Sequence, residues 1–119
     1  WSKIAFTQHP RRVRFPMLFQ AAENEYLAMV GSHTALRQVG IPSDLYIFPG
    51  ENHIKSQPSH RLAVYRRNLA WFQFWLKDGP PTAPISEEES ARWKMMRAEW
   101  SPARSYEERQ TESSESEDQ

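Results

Sequence analysis

The sequence predicts an α/β arrangement of strand, helix, strand and helix, with the two strands parallel. Short apolar runs rich in strand formers lie at residues 16–22 and 44–48. One-sided apolar patterns lie between them, over 27–39, and after them, over 59–77. The connection between the strands is too long for a hairpin and is of the size a crossover helix needs, so the strands run in the same direction.

Each element has its own signal. Pro16 opens the run PMLFQAA, which reads as a buried strand and gives way to the polar loop Glu23-Asn24-Glu25. Leu27, Val30, Ala35, Leu36 and Val39 suit a helix packed by one face. Gly40 stands where a C′ glycine belongs, and Pro42 follows two residues later. DLYIF, residues 44–48, is a second strand, ended by Pro49-Gly50, and a polar loop with Glu51, Asn52 and His53 follows. Pro58 and Ser59 introduce the strongest helical pattern, with Leu62, Tyr65, Leu69, Phe72 and Leu76 spaced 3, 4, 3, 4. Val64, Trp71 and Trp75 widen this stripe, and Arg61, Arg66, Arg67 and Asn68 are expected to face away. Gly79-Pro80-Pro81 stops the helix, and SEEE at 86–89 is a capping-box pattern for a further one with Trp93, Met96 and Trp100 on its apolar side.

The domain reading is a basic lead-in over 1–15, an α/β segment over 16–78, a linker and short helix over 79–100, and an acidic tail over 101–119. TESSESEDQ, residues 111–119, has no apolar side chain, so the tail is expected to be disordered. Two parallel strands are not a stable sheet alone, because parallel sheets are covered on both faces. The segment is therefore expected to be one edge of a larger fold, and to aggregate when made by itself. Formal net charge is zero, which gives no case for nucleic acid or an anionic membrane. No apolar run approaches the ~20 residues of a membrane span. The absence of cysteine excludes disulfides and thiolate metal sites, and is compatible with cytoplasm or periplasm alike. No His/Asp/Glu spacing resembles a metal site, and no cofactor is expected.

Sites in open parallel sheets form in the loops at the carboxyl ends of strands. If the strands are neighbours, the loop with Glu23, Asn24 and Glu25 faces the loop with Glu51, Asn52 and His53. A carboxylate there can fix the imidazole tautomer and stabilise the imidazolium formed when histidine takes a proton. Acid first, then histidine, each after a strand, is the back half of the α/β-hydrolase order serine, acid, histidine.

PMLFQAAENE, SHTALRQVGIPSDLYIFPGENH and RRNLAWFQFWLK together resemble the C-terminal end of prolyl-oligopeptidase-type serine peptidases, over roughly residues 12–78. The resemblance implies the C-terminal part of an α/β-hydrolase domain that cuts amide bonds of peptide substrates, with His53, the last residue of FPGENH, as catalytic histidine. The acid loop departs from the common pattern of that family, which has histidine-glycine and then aspartate; here Gln20-Ala21 replaces the first pair. The lasso peptide isopeptidases are more similar, and by that likeness Glu25 is the triad acid, Glu23 the alternative and Asn24 a poor third. No G-x-S-x-G occurs in the 119 residues, so no nucleophile elbow is present and the segment alone is expected to be inactive. The other readings are a dipeptidyl- or acylaminoacyl-type peptidase segment, or a non-catalytic remnant.

Blander roles suit the remaining residues. His9, His33 and His60 read as surface or capping residues. Glu51 reads as a holder of the loop backbone more than a substrate contact. Trp71, Phe72, Phe74 and Trp75 read as core, and Arg11, Arg12 and Arg14 as a solvated lead-in.

Overall fold

The structure is a computed structural model that describes residues 7–77 and 81–100. The tail expected to be disordered, 101–119, and part of the Gly79-Pro80-Pro81 stop lie outside the described residues. A 3-10 turn at Pro10–Arg12 precedes β1 (Met17–Ala22), α1 (Tyr26–Gln38), β2 (Ser43–Phe48), α2 (Pro58–Leu76) and α3 (Glu87–Glu99). β1 and β2 pair in parallel without a bulge, from Met17 opposite Ser43 to Ala22 opposite Phe48. This is the predicted mixed α/β order with the two strands parallel.

Alternation along the strands divides the core in two. On one face, Phe19 packs with Val13, Leu36 and Ile41, and with the partly buried Met17, Met29, Val39 and Leu45. Leu36 is the buried residue of α1, whereas Leu27 from the predicted apolar face is 73% exposed. On the other face, Leu18 meets a cluster of Ala70, Trp71 and Phe74 from α2 with Ala83, Trp93 and Met96. Trp93 is fully buried and stands edge-on to Trp71, with ring centroids 5.0 Å apart. Full burial of such a ring contributes more than the ~2–3 kcal/mol of an aliphatic side chain.

α2 is rotated relative to the sequence expectation. Its 3-4-3-4 stripe, Leu62, Tyr65, Leu69, Phe72 and Leu76, is exposed, and the flank carrying Trp71 and Phe74 is the buried face. Arg67 and Asn68 point inward rather than away: Asn68 accepts from the Gln20 amide at 2.8 Å, and the Arg67 guanidinium lies 3.6 Å from the centroid of the Tyr46 ring. The physical reason is β1 and β2 themselves, which present Gln20, Asp44 and Tyr46 to this side; polar groups on α2 and α3 must meet them. Phe72, expected in the core, is 60% exposed.

α3 begins with the predicted capping box. The Ser86 hydroxyl accepts from Glu89 N at 3.1 Å, and Ser86 N donates to Glu89 Oε2 at 2.9 Å. The other Glu89 oxygen takes Arg67 Nε at 2.9 Å, which ties the start of α3 to the middle of α2. Burial would raise the pKa of this carboxyl, but the Ser86 amide and Arg67 outweigh it and hold it at about 2.

Candidate active site

The register sets the height of the site. Ala22 and Phe48 are opposite each other at the last rung, so the two loops leave the sheet side by side. Glu25, the N-cap residue of α1, sits in the first loop, and its carboxylate gains from the helix dipole there. His53 sits in the second. Its Nδ1 lies 2.8 Å from Glu25 Oε1. The side chains are 85% exposed for His53 and 33% for Glu25. With Nδ1–H donating to the carboxylate, the Nε2 lone pair faces open space and has no partner among the described residues.

The other residues of the two loops hold this arrangement. Glu23 Oε2 accepts from Gly50 N at 2.7 Å, so the alternative acid is engaged with backbone, away from the imidazole. Gly50 has φ of +66°, a left-handed conformation that glycine adopts without strain. Asn24 Nδ2 donates to Asn52 Oδ1 at 3.4 Å, a weak link between the loops. Glu51 is buried, and takes Ser56 N at 2.7 Å, Gln57 N at 3.0 Å, the Ser56 hydroxyl at 3.2 Å and His60 Nδ1 at 2.8 Å. Burial alone would raise its pKa; these four donors reverse that and hold it at about 2. The loop-holding role read for Glu51 is therefore the one it has. His60 is more than the surface or capping residue expected: it contacts Glu51 and packs at 5.3 Å against the Phe48 ring. His33 is likewise part-buried, with Nδ1 2.9 Å from Ser43 Oγ, and burial lowers its pKa. His9 is the N-cap residue of the 3-10 turn and makes no side-chain cap bond.

A second polar centre, at the opposite end of β2, escaped the sequence reading. Asp44 accepts from Leu45 N, the Tyr46 hydroxyl, Arg92 Nε and Nη2, and Trp93 Nε1, the last at 2.6 Å. An aspartate opening an apolar strand needs such partners once buried, and the adjacent Arg92-Trp93 on α3 was the available clue. The concavity of about 410 Å³ between α2 and the Pro84–Ile85 segment lies elsewhere: neither His53 nor Glu25 lines it. Among the described residues no three His, Asp or Glu side chains converge as a metal site would require.

Residues 25–79, which run from the acid loop through the end of α2, match the sequence profile of the prolyl oligopeptidase family. The chain belongs to that family of serine peptidases. Beyond the profile, it is 43% identical over 98 residues to the lasso peptide isopeptidase AtxE2 of Asticcacaulis excentricus. That match takes in 82% of this chain but 14% of the relative, so the chain spans about a seventh of that protein's length. A shorter stretch of 38 residues, 32% of this chain and 6% of the relative, is 42% identical to dipeptidyl-peptidase 5 of Porphyromonas gingivalis. Two solved structures of AtxE2 superpose on this prolyl oligopeptidase family segment. One is a serine-to-alanine variant with the peptide Astexin3-dC4 bound, with a TM-score of 0.76 and 42% identity, covering 83% of this chain and 15% of that one. The other is the unliganded protein, with a TM-score of 0.73 and 44% identity, covering 79% and 14%.

Proposed function

We propose that this segment supplies the proton-transfer histidine, His53, and its orienting acid, Glu25, to a serine-type peptidase that opens the isopeptide bond of a lasso peptide. The observation that carries the reading is the 2.8 Å contact between His53 Nδ1 and Glu25, made across two loops at the carboxyl ends of adjacent parallel strands. In this reading a serine hydroxyl from sequence outside these 119 residues attacks the amide carbonyl. His53 Nε2 takes the hydroxyl proton as the C–O bond forms, and Glu25 stabilises the imidazolium. His53 then returns the proton to the departing nitrogen as the C–N bond breaks, leaving an acyl-enzyme. Water hydrolyses the ester by the same route, with His53 first taking and then giving back a proton.

The lasso peptide substrate rests on the likeness to AtxE2, whose structure carries a bound peptide. The likeness to a dipeptidyl-peptidase over 38 residues supports a second reading, in which dipeptides are cut from linear chains. In the full-length protein, His53→Ala lowers kcat by about 10³-fold or more, as losses of triad members do. A variant with a tenth of normal turnover would remove His53 from the mechanism. Mass spectrometry separates the substrates: opening the ring of a threaded peptide adds one water and leaves the chain in one piece, whereas dipeptidyl cleavage shortens it.

A further inference from the structure

We propose that Glu51 and His60 form a positioning pair that holds the loop carrying His53 at the level where its imidazole meets Glu25. The inference rests on the reading of His53 as the proton-transfer residue. Its starting point is how little surrounds that imidazole. Within this segment the His53 side chain is 85% exposed and makes one hydrogen bond, so no packing from these residues fixes the ring. What this segment contributes to its position comes from the backbone of the loop that bears it, residues 49–57.

Glu51 is the one buried residue of that loop, at 3% exposure. Its Oε2 takes both Ser56 donors, and its Oε1 takes Gln57 N and His60 Nδ1. These bonds close a ring of chain from 51 to 60, with His53 at its bend. Capping the entry to α2 would need only the contacts to Ser56 and Gln57. His60 does something further. It stands in the first turn of α2, and its ring packs at 5.3 Å on Phe48, the last residue of β2. Phe48 is opposite Ala22, three residues before Glu25. The sequence of contacts from Ala22 to Phe48 to His60 to Glu51 therefore refers the His53 loop to the strand end from which Glu25 leaves. His60 touches neither His53 nor Glu25 and acts through the loop.

The test uses the full-length protein and an isopeptide substrate, with turnover expressed per folded molecule. His60→Ala lowers kcat about 10²-fold, the cost expected of a displacement near 1 Å, with KM changed less than about twofold. His60→Asn, whose amide N–H stands where Nδ1–H stood, restores activity to within about tenfold of the natural protein. In a His53→Ala background, adding His60→Ala changes the residual rate by less than about twofold, because the loop has no imidazole left to position. A merely structural role would leave turnover per folded molecule unchanged in His60→Ala, or would lower it equally in both backgrounds, and either result overturns the proposal. Should His60→Ala not fold, His60→Asn and His60→Gln carry the test: the longer glutamine places its donor elsewhere, and equal turnover of the two overturns the proposal. Full activity of His60→Ala beside an inactive His53→Ala rejects this inference alone. An active His53→Ala rejects the assignment of His53 and the inference with it.

Discussion

Two carboxylates at opposite ends of this small sheet meet nitrogen donors, and they meet them in opposite ways. Asp44 is buried and saturated, with donors from Leu45, Tyr46, Arg92 and Trp93 around it. Glu25 is one-third exposed, takes a single histidine nitrogen, and leaves the far side of that imidazole open. A carboxylate whose lone pairs are all occupied holds elements together and cannot take part in proton traffic. One that orients a ring with a free nitrogen can do so. The difference lies in how many donors converge, and this is set by depth in the fold: α3 lies over the start of β2, whereas the loops stand above the sheet's other end.

The comparison can be broken most severely at the exposed pair. Glu25→Gln in the full-length protein lowers kcat by about 10²–10⁴-fold, because the neutral amide neither holds the Nδ1–H tautomer nor stabilises the imidazolium. Glu23→Gln, which weakens the bond to Gly50 N, costs less than about tenfold. A reversal of that order, read from steady-state kinetics, would make Glu23 the acid. At the saturated centre the effect falls on stability. Asp44→Ala leaves Arg92, the Tyr46 hydroxyl and the Trp93 indole N–H without their acceptor and costs about 3 kcal/mol. The lower part of the range for a broken buried pair applies because Arg92 is 37% exposed and can regain water. Urea unfolding measures this loss, and turnover per folded molecule stays within about twofold; a large fall in turnover at full stability would mean the two ends are coupled. The smallest effect is in acid. Glu51 and Glu89 have folded pKa values of about 2, below their ordinary 4.5. Their carboxylates therefore bind fewer protons folded than unfolded, and the stability they contribute is complete above pH 4.5 and is lost as pH falls towards 2. Glu51→Gln and Glu89→Gln each reduce the slope of stability against pH in that window, and an unchanged slope would show that these carboxylates titrate alike in both states.

What could be read from the sequence followed from local signals. Proline and glycine bounded the strands, the capping box placed the start of α3 at Ser86, and the polar runs after the two strands placed Glu25 and His53 in facing loops. The facing of α2 could not be read this way. Its most regular apolar stripe is exposed in this segment, while towards Gln20 and Tyr46 of the sheet the helix turns Arg67 and Asn68, beside the buried Trp71 and Phe74. Periodicity reports that a helix has an apolar face and leaves open which of two such faces meets a given neighbour. The Asp44 centre was hidden for a related reason. Its donors come from residues 48 and 49 positions later, and neither end carries a recognisable pattern alone. Glu51 and His60 are nine residues apart, yet their contact depends on how the loop turns between them.

Glu89 serves α3 twice, with one oxygen on its own first turn and the other on Arg67 of α2. A 13-residue helix is marginal as an isolated peptide in water. Because its cap and its anchor are the same side chain, unwinding that first turn and releasing the helix from α2 are one opening event. α3 thus shares an opening unit with the helix it rests on, and its Glu89 and Ser90 amides, both bonded to Ser86, exchange with solvent when that unit opens.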